Sequence, residues 1–560
     1  MLSLLGSGTA DADHGPGRRP PRTVDVQILS FNDYHGWLET PGGNDATLGP
    51  ALDPGNNLVG GGAYLATTLD KLRAGKTRSL TVTAGDLIGG TPFLSGLFHD
   101  EPSVESLEAM GLDVSSVGNH EFDEGLTELL RMQKGGCHPV DGCYFPQTPY
   151  DGADFPWLAA NVFYGSSKRT VLPPTWVKKV DGVKVGFIGM TLEDTPVLVA
   201  QKGIQGLEFR DEVASANRAV RRLKEDGVKT VVVLLHEGGL QTGTYSQCDG
   251  ISGPIVDIAK NLDPEIDLVV TGHTHQPYVC NIPDPKGKPR WVTSASSFGR
   301  VVTETNLVVD RRSGDVVRDQ VTSTNHLVLR TVTPDPTQQA ILAKWEALAG
   351  PKGGAVKGEA TEAITRSANR NTESSLANLI ADAQLAATSA VADGGAQIAL
   401  MNPGGVRADL DAGPITFREL FDVQPFGNLL VTMDLTGQQL HDVLEQQAVP
   451  GRAGGRDILI LGVSEGLQFE YLPAEAFGNR VPIETITLNG TPIDPSATYR
   501  VTVNNFLADG GDAFTVLTQG TNRLGGGDDL AAFVSYVEAN SPVSPPPTDR
   551  ILEGAAPAQP

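Results

Sequence analysis

Five short segments in the first half of the chain carry side chains able to bind metal ions, and each follows an apolar, strand-like run. VDVQILSF runs into Asn32-Asp33-Tyr34-His35-Gly36, SLTVTA into Gly85-Asp86, and LDVSSV into Gly118-Asn119-His120-Glu121-Phe122-Asp123. TVVVLL runs into His236-Glu237-Gly238-Gly239, and IDLVV into Thr271-Gly272-His273-Thr274-His275. Ligands in open α/β sheets bind beyond the carboxyl ends of the strands, so these loops are predicted to converge on one edge. The set Asp33, His35, Asp86, Asn119, His236, His273 and His275 mixes carboxylate, amide and imidazole. That mixture suits Zn, Mn, Co or Fe, whereas a Ca²⁺ site would be oxygen-only. Seven ligands exceed what one tetrahedral ion accepts. Two divalent ions sharing a bridging carboxylate, ~3.5–4 Å apart, would use them all. Glycines beside the ligands allow the sharp turns and close backbone approach such a centre needs.

Singly, these motifs are bland: an Asp-x-His is ordinarily a turn, and a histidine at a strand end is ordinarily a satisfied core group. Together they are not, because five of the ten histidines fall in these loops. The order NDYHG, GD, GNHEFD, HEGG, GHTH resembles the calcineurin-like metallophosphoesterases. More narrowly, it is similar to the 5′-nucleotidase family, which includes bacterial periplasmic nucleotidase/UDP-sugar hydrolases and the animal ecto-5′-nucleotidase. The resemblance implies that Asp33, His35, Asp86 and His275 hold one ion, with Asp86 bridging to a second held by Asn119, His236 and His273. It makes His120 and Asp123 a catalytic pair, with His120 facing the phosphate and Asp123 orienting it. Some nucleotidases carry Gln or Asn where His275 stands, which bears on metal preference.

The second half carries residues that could recognise a substrate. QIALM leads into Asn402-Pro403-Gly404-Gly405-Val406-Arg407, an arginine after a glycine-rich turn and hence an anion grip. Pro425-Phe426-Gly427-Asn428 and the run from Asn505 and Phe506 to Asp512 each set a phenylalanine beside a glycine turn. A planar base stacked on such a ring gains ~1–3 kcal/mol. The family resemblance implies that Phe426 and Phe506 sandwich the base, Asp512 binds ribose hydroxyls and Asn428 meets the base edge. Arg370 and Arg407 would hold the phosphate side, with Asn402 in the same site.

These residues must be positioned by a large scaffold. At 560 residues the chain exceeds one ordinary core, and two domains are predicted. β-type runs alternate with helical segments, the habit of a layered α/β fold. The resemblance implies a four-layer αββα metallophosphoesterase domain over 23–335 and an α/β substrate-binding domain over 358–552. Residues 336–357 read as a helical linker, 1–22 as a leader or signal-peptide remnant, and 553–560 as a tail within a proline-rich stretch from Pro542. The net charge of −24 and the lack of a basic stripe argue against nucleic acid as a partner. No apolar run approaches the ~20 residues that span a bilayer. Four cysteines in two turn-rich groups, Cys137 with Cys143 and Cys248 with Cys280, predict two disulfides and an oxidising compartment, hence a secreted or cell-envelope protein.

The function expected is metal-dependent hydrolysis of nucleoside 5′-phosphates. A 2′,3′-cyclic-nucleotide phosphodiesterase/3′-nucleotidase and a UDP-sugar hydrolase are the enzymatic alternatives. A non-catalytic nucleotide-binding surface protein is the third, and it predicts broken ligands where all seven stand intact. Oligomeric state has no signature here.

Overall fold

A computed structural model describes residues 22–199, 201–452 and 456–554. The expected leader, Arg22 apart, and the tail beyond residue 554 lie outside the described residues. In the first domain the strand Thr230–His236 is buried throughout, as expected of a sheet covered on both faces. Successive side chains alternate in direction. Val232 and Leu234 therefore enter a core shared with Val26, Ile28 and Val82 of a second sheet. Val231, Val233 and Leu235 face the opposite way, onto Ala216, Ala219 and Val220 of the helix Glu212–Glu225. The strand Thr23–Phe31 behaves likewise, its Leu29 and Phe31 packing with Leu65, Leu69, Val104 and Leu107 from the helices Gly62–Arg73 and Glu101–Ala109. Two six-stranded sheets packed face to face, with helices outside each, make the four-layer αββα arrangement.

Strands Thr23–Phe31, Ser79–Thr83 and Val114–Ser116 run parallel as neighbours in one sheet. Thr230–His236 and Leu268–Thr271 do so in the other. The ligand-bearing loops thus leave one edge of the double sheet.

The helix Pro336–Gly353 follows, capped by the Asp335 carboxylate, which accepts a hydrogen bond from the Gln338 N–H. It buries Ile341, Trp345 and Ala349 against Phe93 and Phe98 of the first domain. Strand Val356–Ala360 starts within the last residues expected of the linker and pairs with Gly413–Thr416. The second domain is built on a five-stranded mixed sheet in the order Gly462–Val463, Ile398–Met401, Thr498–Asn504, Leu429–Thr436, Thr521–Asp528. Helices Ser375–Thr388 and Asp529–Asn540 share one apolar core, and Gly437–Glu445 belongs to another. The proline-rich stretch is not wholly a tail. Val543 is buried, and Ile551–Glu553 adds a strand beside Phe469–Tyr471.

Cys137 is bonded to Cys143 and Cys248 to Cys280, with Cα–Cα distances of 4.6 and 5.1 Å. Among the described residues no helix is long and apolar enough to cross a membrane.

Candidate active site

All seven expected ligands meet at the sheet edge. Asp33, His35 and His275 form one group able to hold an ion, and Asp86, His236 and His273 form another. Asp86 lies between them: its Oδ2 is 2.9 Å from His236 Nε2 and 3.6 Å from His35 Nε2. Asp33 Oδ1 is 3.2 Å from His275 Nε2 and 4.0 Å from His236 Nε2. Asn119 Oδ1 faces His273 Nδ1 at 3.1 Å. The backbone is bent to achieve this. Asp33, His35, Asp86, His273 and His275 all have positive φ, a conformation that costs non-glycine residues ~1–3 kcal/mol each.

The donor set passes a direct test of fitness for metal. His35 Nδ1 lies 2.7 Å from the Gly89 carbonyl and His236 Nδ1 lies 2.7 Å from that of Ala84. Each Nδ1–H donating to its carbonyl fixes the tautomer and aims Nε2 inward, as is usual for imidazole ligands. Both Nε2 atoms are buried; that of His35 makes no hydrogen bond, and that of His236 faces the Asp86 carboxylate at 2.9 Å. Burial raises the Asp33 carboxyl to about 6, with His236 opposing and Asp86 adding to the rise. Burial works against charge on His236, yet Asp86 and Asp33 outweigh it and push the imidazole up to about 10. The buried carboxylates therefore draw positive charge into the cluster, the field a divalent cation would meet.

His120 sits beside the cluster. Its Nδ1 is 2.8 Å from Asp123 Oδ2, and its backbone N–H donates to Asp86 Oδ1 at 2.9 Å. Burial opposes charge on this ring too, but Asp123 and Asp86 raise its pKa overall. The pair suits a proton donor facing a developing anion.

Two further residues of these loops, Asn32 and Glu121, support the ligands without belonging to the set read from the sequence. Asn32 donates to Asp33 Oδ2 at 2.5 Å and to the Ser296 carbonyl at 2.6 Å, while its Oδ1 accepts from Ala295 N–H. Glu121 accepts from the N–H groups of Asp86, Leu87 and Gly118, tying two ligand loops together.

Across from the metal-type cluster, a cleft is lined by both domains. Asn119, His120, Asp123 and His273 come from the first. Arg370, Asn402, Arg407, Phe426, Asn428, Phe506 and Asp512, every substrate residue expected, come from the second. Phe426 stacks over His120 with ring centroids 5.9 Å apart and planes 19° off parallel. The Arg407 guanidinium lies 5.6 Å from the Phe426 ring centre. Asn402 donates to Asp512 Oδ2 at 3.2 Å and accepts from Asn504. Burial lowers Arg370 to about 9 and Arg407 to about 10, the neighbouring arginines adding to it. Both remain cations at neutral pH. Arg456, Leu198 and Val199 also line the cleft, and none lies in a recognisable motif.

The calcineurin-like phosphoesterase profile matches residues 26–277, and the 5′-nucleotidase C-terminal domain profile matches 353–519. The chain belongs to the 5′-nucleotidase family. A cell wall protein of Listeria monocytogenes is 32% identical over 92% of this chain and 67% of its own length. An endonuclease of Bacillus subtilis is 35% identical over 93% of this chain, which spans 40% of that protein. A 5′-nucleotidase of Vibrio cholerae is 27% identical over 97% of this chain and 95% of its own length. The crystal structure of a 5′-nucleotidase precursor from Thermus thermophilus superposes with a TM-score of 0.77 at 28% identity, over 95% of this chain and all of that one. This member of the family is accordingly a phosphoester hydrolase carrying clustered metal-ligating side chains.

Proposed function

We propose that this phosphoesterase hydrolyses nucleoside 5′-phosphates to nucleoside and inorganic phosphate. Asp33, His35, Asp86 and His275 would hold one divalent ion, and Asp86, Asn119, His236 and His273 a second. When bound, the ions would supply Lewis acidity and lower the pKa of a water molecule toward ~7. His120, with Nδ1 on Asp123, keeps its other ring N–H for the phosphoryl oxygens or the leaving group. Arg370 and Arg407 add fixed positive charge on the phosphate side. Phe426 and Phe506 would clasp the base, and Asp512 and Asn428 would accept or donate at ribose and base edge.

One observation carries the reading. A single cleft joins the catalytic pair of one domain to two half-buried phenylalanines and three arginines of the other. That shape suits a phosphate ester with a planar base at its far end. Cyclic and 3′-nucleotides and UDP-sugars share these chemical parts, and the Bacillus relative is named an endonuclease. The net charge of −24 opposes a polyanion. The two disulfides support an exported protein.

The test is phosphate release from 5′-, 3′- and 2′,3′-cyclic nucleotides, UDP-glucose and a single-stranded oligonucleotide, after chelation and re-addition of each metal. The 5′-nucleotides should give the highest kcat/KM. A preference for any other member of the panel would replace this assignment.

A further inference from the structure

A second cluster of ligand-type side chains lies outside the site described above. His99, Glu124, Glu128 and His138 each offer a ligand atom, and these atoms all lie within 4.8 Å of one another. They come from three places: the bend before the helix Glu101–Ala109, the start of the helix Gly125–Lys134, and the loop closed by Cys137–Cys143. The His99 and His138 rings stack with centroids 3.6 Å apart. His99 Nδ1 lies 2.8 Å from Glu124 Oε2, and its Nε2 lies 2.7 Å from Asp141 Oδ2. A carboxylate behind the far nitrogen of an imidazole is the usual support for a metal-bound histidine. His99 and the next residue, Asp100, both have positive φ, so the chain is bent unfavourably to bring that ring here.

The charge balance favours a cation. Arg131 pairs with Glu128 and Glu101 together, which leaves Glu124 and Asp141 without an arginine or lysine partner among the ion pairs of the described residues. Burial works against charge on His99, but the hydrogen bonds its ring donates to Glu124 and Asp141 outweigh it and raise the imidazole to about 9. The same field acts on a bound ion.

We infer that His99, His138, Glu124 and Glu128 form a further divalent-cation site, separate from the dinuclear centre, with Asp141 supporting His99 from behind. Two imidazoles with two carboxylates select a transition ion such as Zn²⁺ over Ca²⁺ or Mg²⁺. Binding at His99 Nδ1 releases the proton that the ring shares with Glu124, so uptake of one ion liberates one proton there. The site borders a hollow that also contains His120 and Asp123. It is linked to the catalytic loops by chain as well, since Glu124 follows Asp123 and the Asp100 carboxylate accepts from the Gly89 N–H at 2.9 Å.

The test compares Zn²⁺ content. Full-length protein is chelated, saturated with Zn²⁺, freed of excess ion and analysed for metal per chain, alongside His138→Ala and His99→Ala. The wild type should hold one ion more than either variant. That difference reads this site whatever the dinuclear centre holds, and retained hydrolysis of an aryl phosphate shows that centre intact. If His99→Ala also loses the catalytic ions, His138→Ala decides, because that residue sits on the half-exposed disulfide loop. Equal Zn²⁺ content in the wild type and His138→Ala would overturn the assignment.

Discussion

His120 and the ligand histidines are chemically alike but held differently, and the difference predicts separable losses. His120 is anchored by Asp123, while His35 and His236 are anchored by carbonyls and turn a buried Nε2 toward the Asp86 carboxylate. His120→Ala should retain bound metal and lose ~10²–10⁴ in kcat, the usual size of a general-acid contribution. Metal analysis beside steady-state kinetics checks both halves, and loss of metal would make His120 a ligand instead. Chelation should abolish hydrolysis, and Mn²⁺, Zn²⁺ or Co²⁺ should restore it; activity that persists without metal would contradict the centre. Asn32 acts one step back, its amide holding the Asp33 carboxylate in place. Asn32→Ala should weaken metal binding by about 10–100-fold, the range typical of groups that orient ligands. A metal titration of the chelated protein measures it, and unchanged affinity would leave Asn32 a merely structural role.

The elements explain why most of the site is legible in the sequence. A ligand loop at a strand end needs an apolar strand, a sharp turn and a chemically specific side chain, all within about ten residues, and such runs are local. Gly118 shows how tight the requirement is. A methyl group there would overlap Asp86 Oδ1 and sit 2.8 Å from His236 Cγ. Gly118→Ala should therefore strip metal and activity while the fold persists, as circular dichroism and metal analysis would show; a fully loaded variant would refute this packing. What stayed illegible depends on distant partners. The strand Ile551–Glu553 pairs across about eighty residues with Leu467–Tyr471, so proline content alone made its neighbourhood read as tail. Glu121 lies within a quoted motif, but its role appears only when two loops meet over its carboxylate. Arg456, Leu198 and Val199 reach the cleft from segments with no periodicity or motif. The His99 cluster draws on three separate segments and has the same cause for its silence.

At the scale of the whole molecule, the two domains meet beside the cleft they both line. Arg366 pairs with Asp45, Arg418 bridges Glu39 and Glu346, and Phe93 packs between Phe417 and Phe421. If the substrate is the proposed nucleotide, it engages both domains at once and its products need the domains to part, a motion that often limits turnover. The division of labour between domains is the central claim, and kcat/KM measured for two substrates tests it most directly. One substrate is a 5′-nucleotide and the other a small aryl phosphate that needs only the metal-site domain. Phe426→Ala should raise KM for the nucleotide about 5- to 150-fold, the equivalent of ~1–3 kcal/mol of lost stacking, and leave the aryl phosphate nearly unchanged. An equal loss for both substrates, or none for either, would contradict the account.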